Sequence, residues 1–325
     1  MKTPTLLATL LALTLQFGSA APASAQAWPT KPVRFIVSQS AGGSIDIAAR
    51  LIGQKLGDAL GQTFIIDNRA GANGMIAGEA AARATPDGYT FLMTSPSTLT
   101  INQHVYKKVP YDALKDFVAV TQTTSIVFVM TVPAASPYKS ARELIAAARA
   151  KPDLIRYGSA GAGNQSHLAA EMLAGATGTK FLHVPYKGEA PAITDLLGGQ
   201  IDMIVGTMPA LLPHVRAGKL RALAVCQPNR SQAVPDVATM GELGYPSVVV
   251  TGWTGIVAPT GTPPEVLRRL RDEVVKILAM PDVREALSRA GAEPVGSTPE
   301  EFAAFIRSES VKWGAAVKQA GVTPE

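Results

Sequence analysis

Residues 37–50 read VSQSAGGSIDIAAR. The strand-forming run VRFIV (33–37) stops there, two glycines follow, and Ile45, Ala48, Ala49, Ile52, Leu56 and Leu60 then fall on one helical face. Strand TFIID, turn NRAGANG, an alanine-rich helix, turn PDG and strand YTFLMTS complete a βαβαβ unit ending near Ser95. The segments SARELIAAARAK, LIRYGSA, a helix from about Asn164, KFLHV, EAPAITDLL, IDMIVGT, PALLPHVRAG and LRALAV then repeat the alternation. That alternation predicts an α/β protein with two mainly parallel sheets. The β-prone stretch FVAVTQTTSIVFVMTV (117–132) passes from one layer to the other, and LRALAVCQ (220–227) leads back. The second domain is therefore expected to be inserted in the first: domain 1 from 26–125 and 226–325, domain 2 from 126–225, with hinges near Thr124 and Cys226.

The first 25 residues stand apart. Lys2, the apolar run LLATLLALTL and the small-residue pattern Ala23-Ser24-Ala25 read as a signal peptide cleaved after about Ala25. The run falls short of the roughly 20 apolar residues that span a bilayer. What remains, about 300 residues, exceeds the size at which single cores stop growing, which independently favours two domains. The single cysteine, Cys226, leaves no internal disulfide and reads as an inert residue in an apolar strand. The formal charge of +5 is spread without a Lys/Arg cluster, so nothing points to nucleic acid. In the tail, Thr298 and Glu301 read as a capping box, and Phe302, Phe305, Ile306, Trp313 and Val317 share a core-facing stripe.

Searches for bond-making chemistry are negative. Tyr157 stands where a nucleophile elbow around Ser159 needs its leading glycine. GAGNQS after Gly161 lacks the third glycine of a dinucleotide loop, and no Walker A lysine pattern occurs. His104, His167, His183 and His214 lack metal-ligand spacing, so neither metal nor cofactor is expected. What recurs is the small-residue turn from strand to helix, at Gly42-Gly43-Ser44, at Ser159–Asn164 and at Thr207-Met208-Pro209. The first N–H groups of a helix lack internal partners and carry about half a positive charge, so a carboxylate or phosphate oxygen can accept from them directly. In open α/β sheets such turns meet at the carboxyl ends of the strands. Singly, each turn has a plainer reading: Ser44 as an N-cap, Asp46 as a first-turn acid.

The ordered motifs WPTKPVRFIV, GGSIDIAARLIGQKLGDALGQTFIIDNRAGANG, ATPDGYTFLM, YGSAGAGNQSHLAAEML, HVPYKGEAPAITDLLGGQID, AGKLRALAV, WTGIVAPTGTPPEVL and STPEEFAAFI span nearly the whole chain after residue 25. Together they resemble the Bug (TctC-like) periplasmic receptors of tripartite tricarboxylate transport systems. The resemblance implies a two-domain type II periplasmic binding protein fold with its ligand cleft between the domains. It also implies a carboxylate held by main-chain N–H groups and hydroxyls of two loops. Carried onto this chain, the first loop is Ser38–Ser44, supplying Gln39, Ser40, Ala41, Gly42, Gly43 and Ser44. The second is Ser159–His167, supplying Ser159, Ala160, Gly163, Asn164 and His167. Ser97, Tyr186 and Thr207 lie where other members line the pocket, whereas Lys187 reads as a solvated surface charge.

The opening stretch departs from the family. Many members read PFAPGG where this chain has Ser38-Gln39-Ser40-Ala41-Gly42-Gly43, so hydroxyls and an amide replace an aromatic ring and two prolines. Gln39 and Ser40 are accordingly expected to meet a second polar group on the ligand. The function expected is that of a periplasmic, monomeric receptor, not an enzyme, which hands a small carboxylate unchanged to integral-membrane transporter subunits. The alternative is a ligand-sensing partner of a periplasmic sensor kinase, which would use the same cleft.

Overall fold

The structure, a computed structural model, describes residues 28–319 together with Gly321 and Val322. The expected signal peptide lies outside them. The predicted βαβαβ unit forms from β1 (Val33–Val37), α1 (Ser44–Leu60), β2 (Phe64–Asn68), α2 (Met75–Ala82) and β3 (Thr90–Thr94), with β1 paired parallel to both β2 and β3. Alternate side chains of β1 enter different cores. Val33, Phe35 and Val37 meet Ile45, Ala49, Ile52 and Leu56 of α1, whereas Ile36 packs with Ala77, Ala81 and Trp253. A strand buried on both faces explains why VRFIV is apolar at four of its five positions rather than alternating.

After the short α3 (Asn102–Val105) comes β4 (Phe117–Pro133), whose 17 residues carry the chain from one sheet to the next. Its apolar, β-branched composition suits an extended strand buried along most of its length. The second half contains α4 (Ala141–Ala150), β5 (Arg156–Ser159), α5 (Gln165–Thr177), β6 (Leu182–Pro185), α6 (Glu189–Leu197), β7 (Met203–Thr207), α7 (Met208–Arg216) and β8 (Leu220–Val225). The tail adds β9 (Thr251–Pro259), α8 (Pro264–Ala279), α9 (Pro281–Arg289), β10 (Ala292–Pro294) and α10 (Pro299–Gln319).

Strand pairing runs β2-β1-β3-β9-β4-β7-β5-β6, with β8 and β10 also pairing β4. The two expected sheets are thus two halves joined through one strand. Phe117–Val127 pair with β9, and Phe128–Pro133 pair with β7 and β8, so the changeover falls at Val127–Phe128. Cys226, Met240, Val248 and Val250 share a core with Phe128, Leu168 and Leu173 of the second half, and β9 is the element that re-enters the first. Burial pushes the Cys226 thiol up to about 12.

Helix α10 spans both halves. Its capping box is present, with Thr298 Oγ1 accepting from the Glu301 N–H at 3.1 Å and Glu301 Oε2 from the Thr298 N–H at 2.8 Å. Phe302 and Ile306 pack under the first half, Trp313 and Val317 under the second, and Phe305 is partly buried. Glu309 joins the two, accepting from Trp253 Nε1 at 3.1 Å and from Trp313 Nε1 at 2.9 Å.

Candidate functional site

The carboxyl ends of β1, β3, β5 and β7 meet where the two halves face each other. Two adjoining cavities of about 30 Å³ each lie there, sharing Gln39, Ile45, Ser95, Ser97, Ala160 and Asn164 in their walls. Cavities of that volume hold water but no organic acid, so the two halves lie close together.

The first loop turns through Gly42, whose φ of +81° suits glycine, and its N–H donates to Asp46 Oδ2 at 2.9 Å. Gly43 is the N-cap of α1 and has no side chain to offer. Gln39 caps the helix in its place, with Oε1 accepting from the Ile45 N–H at 2.9 Å and from Ser44 Oγ at 3.4 Å. A Cβ at Gly43 would collide with the Gln39 side chain, so the glycine is what admits this borrowed cap.

The second loop is capped from within. Asn164, the N-cap of α5, accepts at Oδ1 from the Ser166 N–H at 2.9 Å. Its Nδ2 reaches across the cleft to Asn73 Oδ1 at 2.8 Å and Ser97 Oγ at 2.9 Å. Ser97 Oγ also accepts from the Gln165 N–H at 3.3 Å. Beneath this loop, His167 and His183 stack with centroids 4.1 Å apart, and Tyr157 stacks on His183 at 4.8 Å. His167 Nδ1 accepts from the Gly163 N–H at 2.9 Å, and His183 Nε2 lies 2.7 Å from Ser159 Oγ. Burial, then the neighbouring His167, push the His183 pKa down to about 4.

Between the loops lies a group the sequence did not single out. Glu189, the first residue of α6, is 3% exposed. Its carboxylate accepts from the Thr207 N–H at 2.7 Å, from Thr207 Oγ1 at 2.7 and 2.8 Å, from Gln39 Nε2 at 3.3 Å and from the Ser44 N–H. Burial raises its pKa, while these donors act in the opposite direction. An internal carboxylate therefore already takes N–H groups at the starts of α1 and α7.

Of the residues expected in the pocket, Gln39, Ser44, Ser97, Ala160, Asn164 and Thr207 line one or both cavities. Ser40, Ala41, Gly42, Gly43, Ser159, Gly163, His167 and Tyr186 are not in those walls. Ala41 and Gly42 are exposed, His167 is in the stack beneath, and Tyr186 turns its hydroxyl to Asp195 Oδ2 at 2.7 Å. Burial, followed by Asp195, pushes the Tyr186 hydroxyl up to about 12. Ser40 Oγ and Thr98 Oγ1 are buried with no hydrogen-bond partner among the described residues, and Thr98 lines the second cavity. Sequence reasoning missed Glu189, Asn73 and Gln165. Glu189 reads locally as an ordinary first-turn acid after Gly188, and nothing near it in sequence marks it as buried. Among the described residues no group of three or more His, Cys, Asp or Glu side chains is placed to hold a metal ion.

The profile of the family described as "Tripartite tricarboxylate transporter family receptor" matches residues 48–322. The chain belongs to this receptor family. Its relatives include Protein BugT of Bordetella pertussis (strain Tohama I), 38% identical over 305 residues that cover 94% of each chain. A Rhodopseudomonas palustris protein solved with adipate superposes with a TM-score of 0.90 at 34% identity, covering 92% of this chain and all of that one. The periplasmic binding protein BugD superposes at 0.88 with 32% identity, covering 92% of this chain and all of that one. The fold is thus that of periplasmic binding proteins, and the family is one of solute-binding receptors rather than enzymes.

Proposed function

We propose that this receptor captures a small organic carboxylate in the periplasm and delivers it, unchanged, to integral-membrane subunits of a tripartite tricarboxylate-type transporter. The observation that carries the reading is the closed cleft between two half-sheets, with the N-termini of α1, α5 and α7 converging on it. Three positive helix ends around one closed site favour an anion, and hydroxyls and amides supply orientation without an ion pair. Ser44, Ser97, Ala160, Asn164 and Thr207 are the residues assigned to contact the ligand, with Gln39 moving aside from α1 to admit it. Ser159, Gly163 and His167 shape the second loop from beneath, and Ser40, Gly42 and Gly43 set the bend of the first. Tyr186 stands outside the contact set.

Binding requires opening, because cavities of about 30 Å³ hold no organic acid. The halves are taken to rotate as domains about Val127–Phe128, about Val250–Thr251 and along α10, a hinge closure of the kind binding proteins use. This sets the return crossing later in the chain than residue 226. Residues 1–25 are assigned as the cleaved export signal and the working form as a monomer.

A thermal-shift screen of mono-, di- and tricarboxylates tests the reading, since a ligand that binds only the native state raises its stability by RT ln(1 + [L]/Kd). A rise in Tm of several degrees with at least one acid is expected. No shift with any of them contradicts the proposal.

A further inference from the structure

Among the described residues, Glu189 is the one ionisable side chain in the walls of either cavity, and no Lys, Arg or His lines them beside it. Its hydrogen bonds divide between the two halves. Thr207 belongs to the half that carries Glu189, whereas Gln39 and the Ser44 N–H belong to the opposite one. Any motion that opens the cleft draws Gln39 and Ser44 away and leaves the carboxylate with Thr207 alone. A ligand enclosed between them must then meet both sets of groups: it replaces Glu189 as the acceptor for Ser44, and it replaces Gln39 as a donor to Glu189. A carboxylate at one end does the first, and an ammonium group, with three N–H donors and the opposite charge, does the second. A second carboxylate offers no donor and places like charges together in a site closed to water.

We propose that Glu189 sets the ligand class, so that the cleft selects a carboxylate bearing an ammonium group at its far end over a dicarboxylate of the same length. The inference rests on the carboxylate-receptor reading. It makes the first half the carboxylate-reading side and Glu189 the ammonium-reading side. It also gives Gln39 a role in the unliganded form, where its amide stands in for the ammonium group.

Matched pairs test this by calorimetric titration at about pH 8, where an alkylammonium still carries its proton. The pairs are γ-aminobutyrate against succinate and ε-aminocaproate against adipate, with wild type and Glu189→Gln. Wild type is expected to bind the amino acid of at least one pair about tenfold or more tightly than its dicarboxylate partner, and Glu189→Gln to abolish or invert that ratio. Dicarboxylates binding wild type as tightly as their partners overturn the inference and leave the carboxylate-receptor reading standing. A preference that survives in Glu189→Gln overturns the role of Glu189. Binding of neither class overturns the inference, while the carboxylate-receptor reading is decided by the wider acid screen. The wild-type ratio needs no variant, so the test stands even if Glu189→Gln folds poorly.

Discussion

The starts of α1 and α5 face each other across the cleft and look alike in sequence, as small-residue turns running into helices. Each has a cap from its own loop and an acceptor from across the cleft, but that acceptor is the Ser97 hydroxyl at α5 and the buried Glu189 carboxylate at α1. The α5 end is closed by its own N-cap, Asn164, whose side chain also spans the cleft to Asn73 and Ser97. The α1 end has a glycine for its N-cap and depends on Gln39 and on Glu189 from the other half. When the halves separate, the α1 end loses a carboxylate acceptor and the α5 end a neutral hydroxyl. The first loop is therefore where a ligand must supply the stronger acceptor.

The difference can be broken most severely at Asn164. Asn164→Ala removes a helix cap and three side-chain bonds, so a stability loss of about 2–3 kcal/mol is expected in urea unfolding. Asn164→Asp keeps the accepting oxygen and should recover part of it.

The pH response separates the loops next. The folded pKa of His183, about 4, lies below its ordinary value of 6.5, so the unfolded chain binds the proton more readily. Its contribution is present above about pH 6.5 and is lost as pH falls toward 4, a decline on the order of 1–2 kcal/mol once solvent screening is allowed for. Melting temperatures followed through that range should show the fall, and His183→Asn should flatten it.

Gln39→Ala should cost about 1 kcal/mol, the scale of one helix cap, and less than Asn164→Ala. Chemical denaturation of the two variants side by side checks the order. The last comparison concerns Glu189, whose folded pKa is raised. Its contribution is full below the ordinary value of 4.5 and is lost as pH rises through the folded pKa, opposite in sign to His183. Glu189→Gln should remove that part of the slope in the pH dependence of Tm.

Much of the fold is legible because local periodicity reports local geometry. The stripe from Ile45 to Leu56 marks the buried face of α1, VRFIV a strand covered on both sides, and Thr298 with Glu301 the start of α10. The long strand 117–132 is visible too, since few other structures suit sixteen consecutive β-prone residues. What periodicity cannot report is which distant side chain meets which helix end. Gln39 and Glu189 are 150 residues apart and touch only because β4 brings the half-sheets together. His167, a pocket candidate from the sequence, stacks from α5 on His183, whose ring the pairing of β5 with β6 sets beside Tyr157. The end of β8 suggests a return crossing at residue 226, whereas the segment up to Val250 has no strand or helix pattern yet packs on the second core.

The central claim, that a carboxylate is gripped at the N-termini facing this cleft, is tested most directly by titrating wild type with a binding acid and with its primary amide. The acid offers two charged acceptor oxygens to those N–H groups, and the amide offers one neutral oxygen and a misplaced donor. The account predicts an affinity at least about a hundredfold weaker for the amide, the equivalent of about 2.7 kcal/mol. Equal affinity for acid and amide would contradict it.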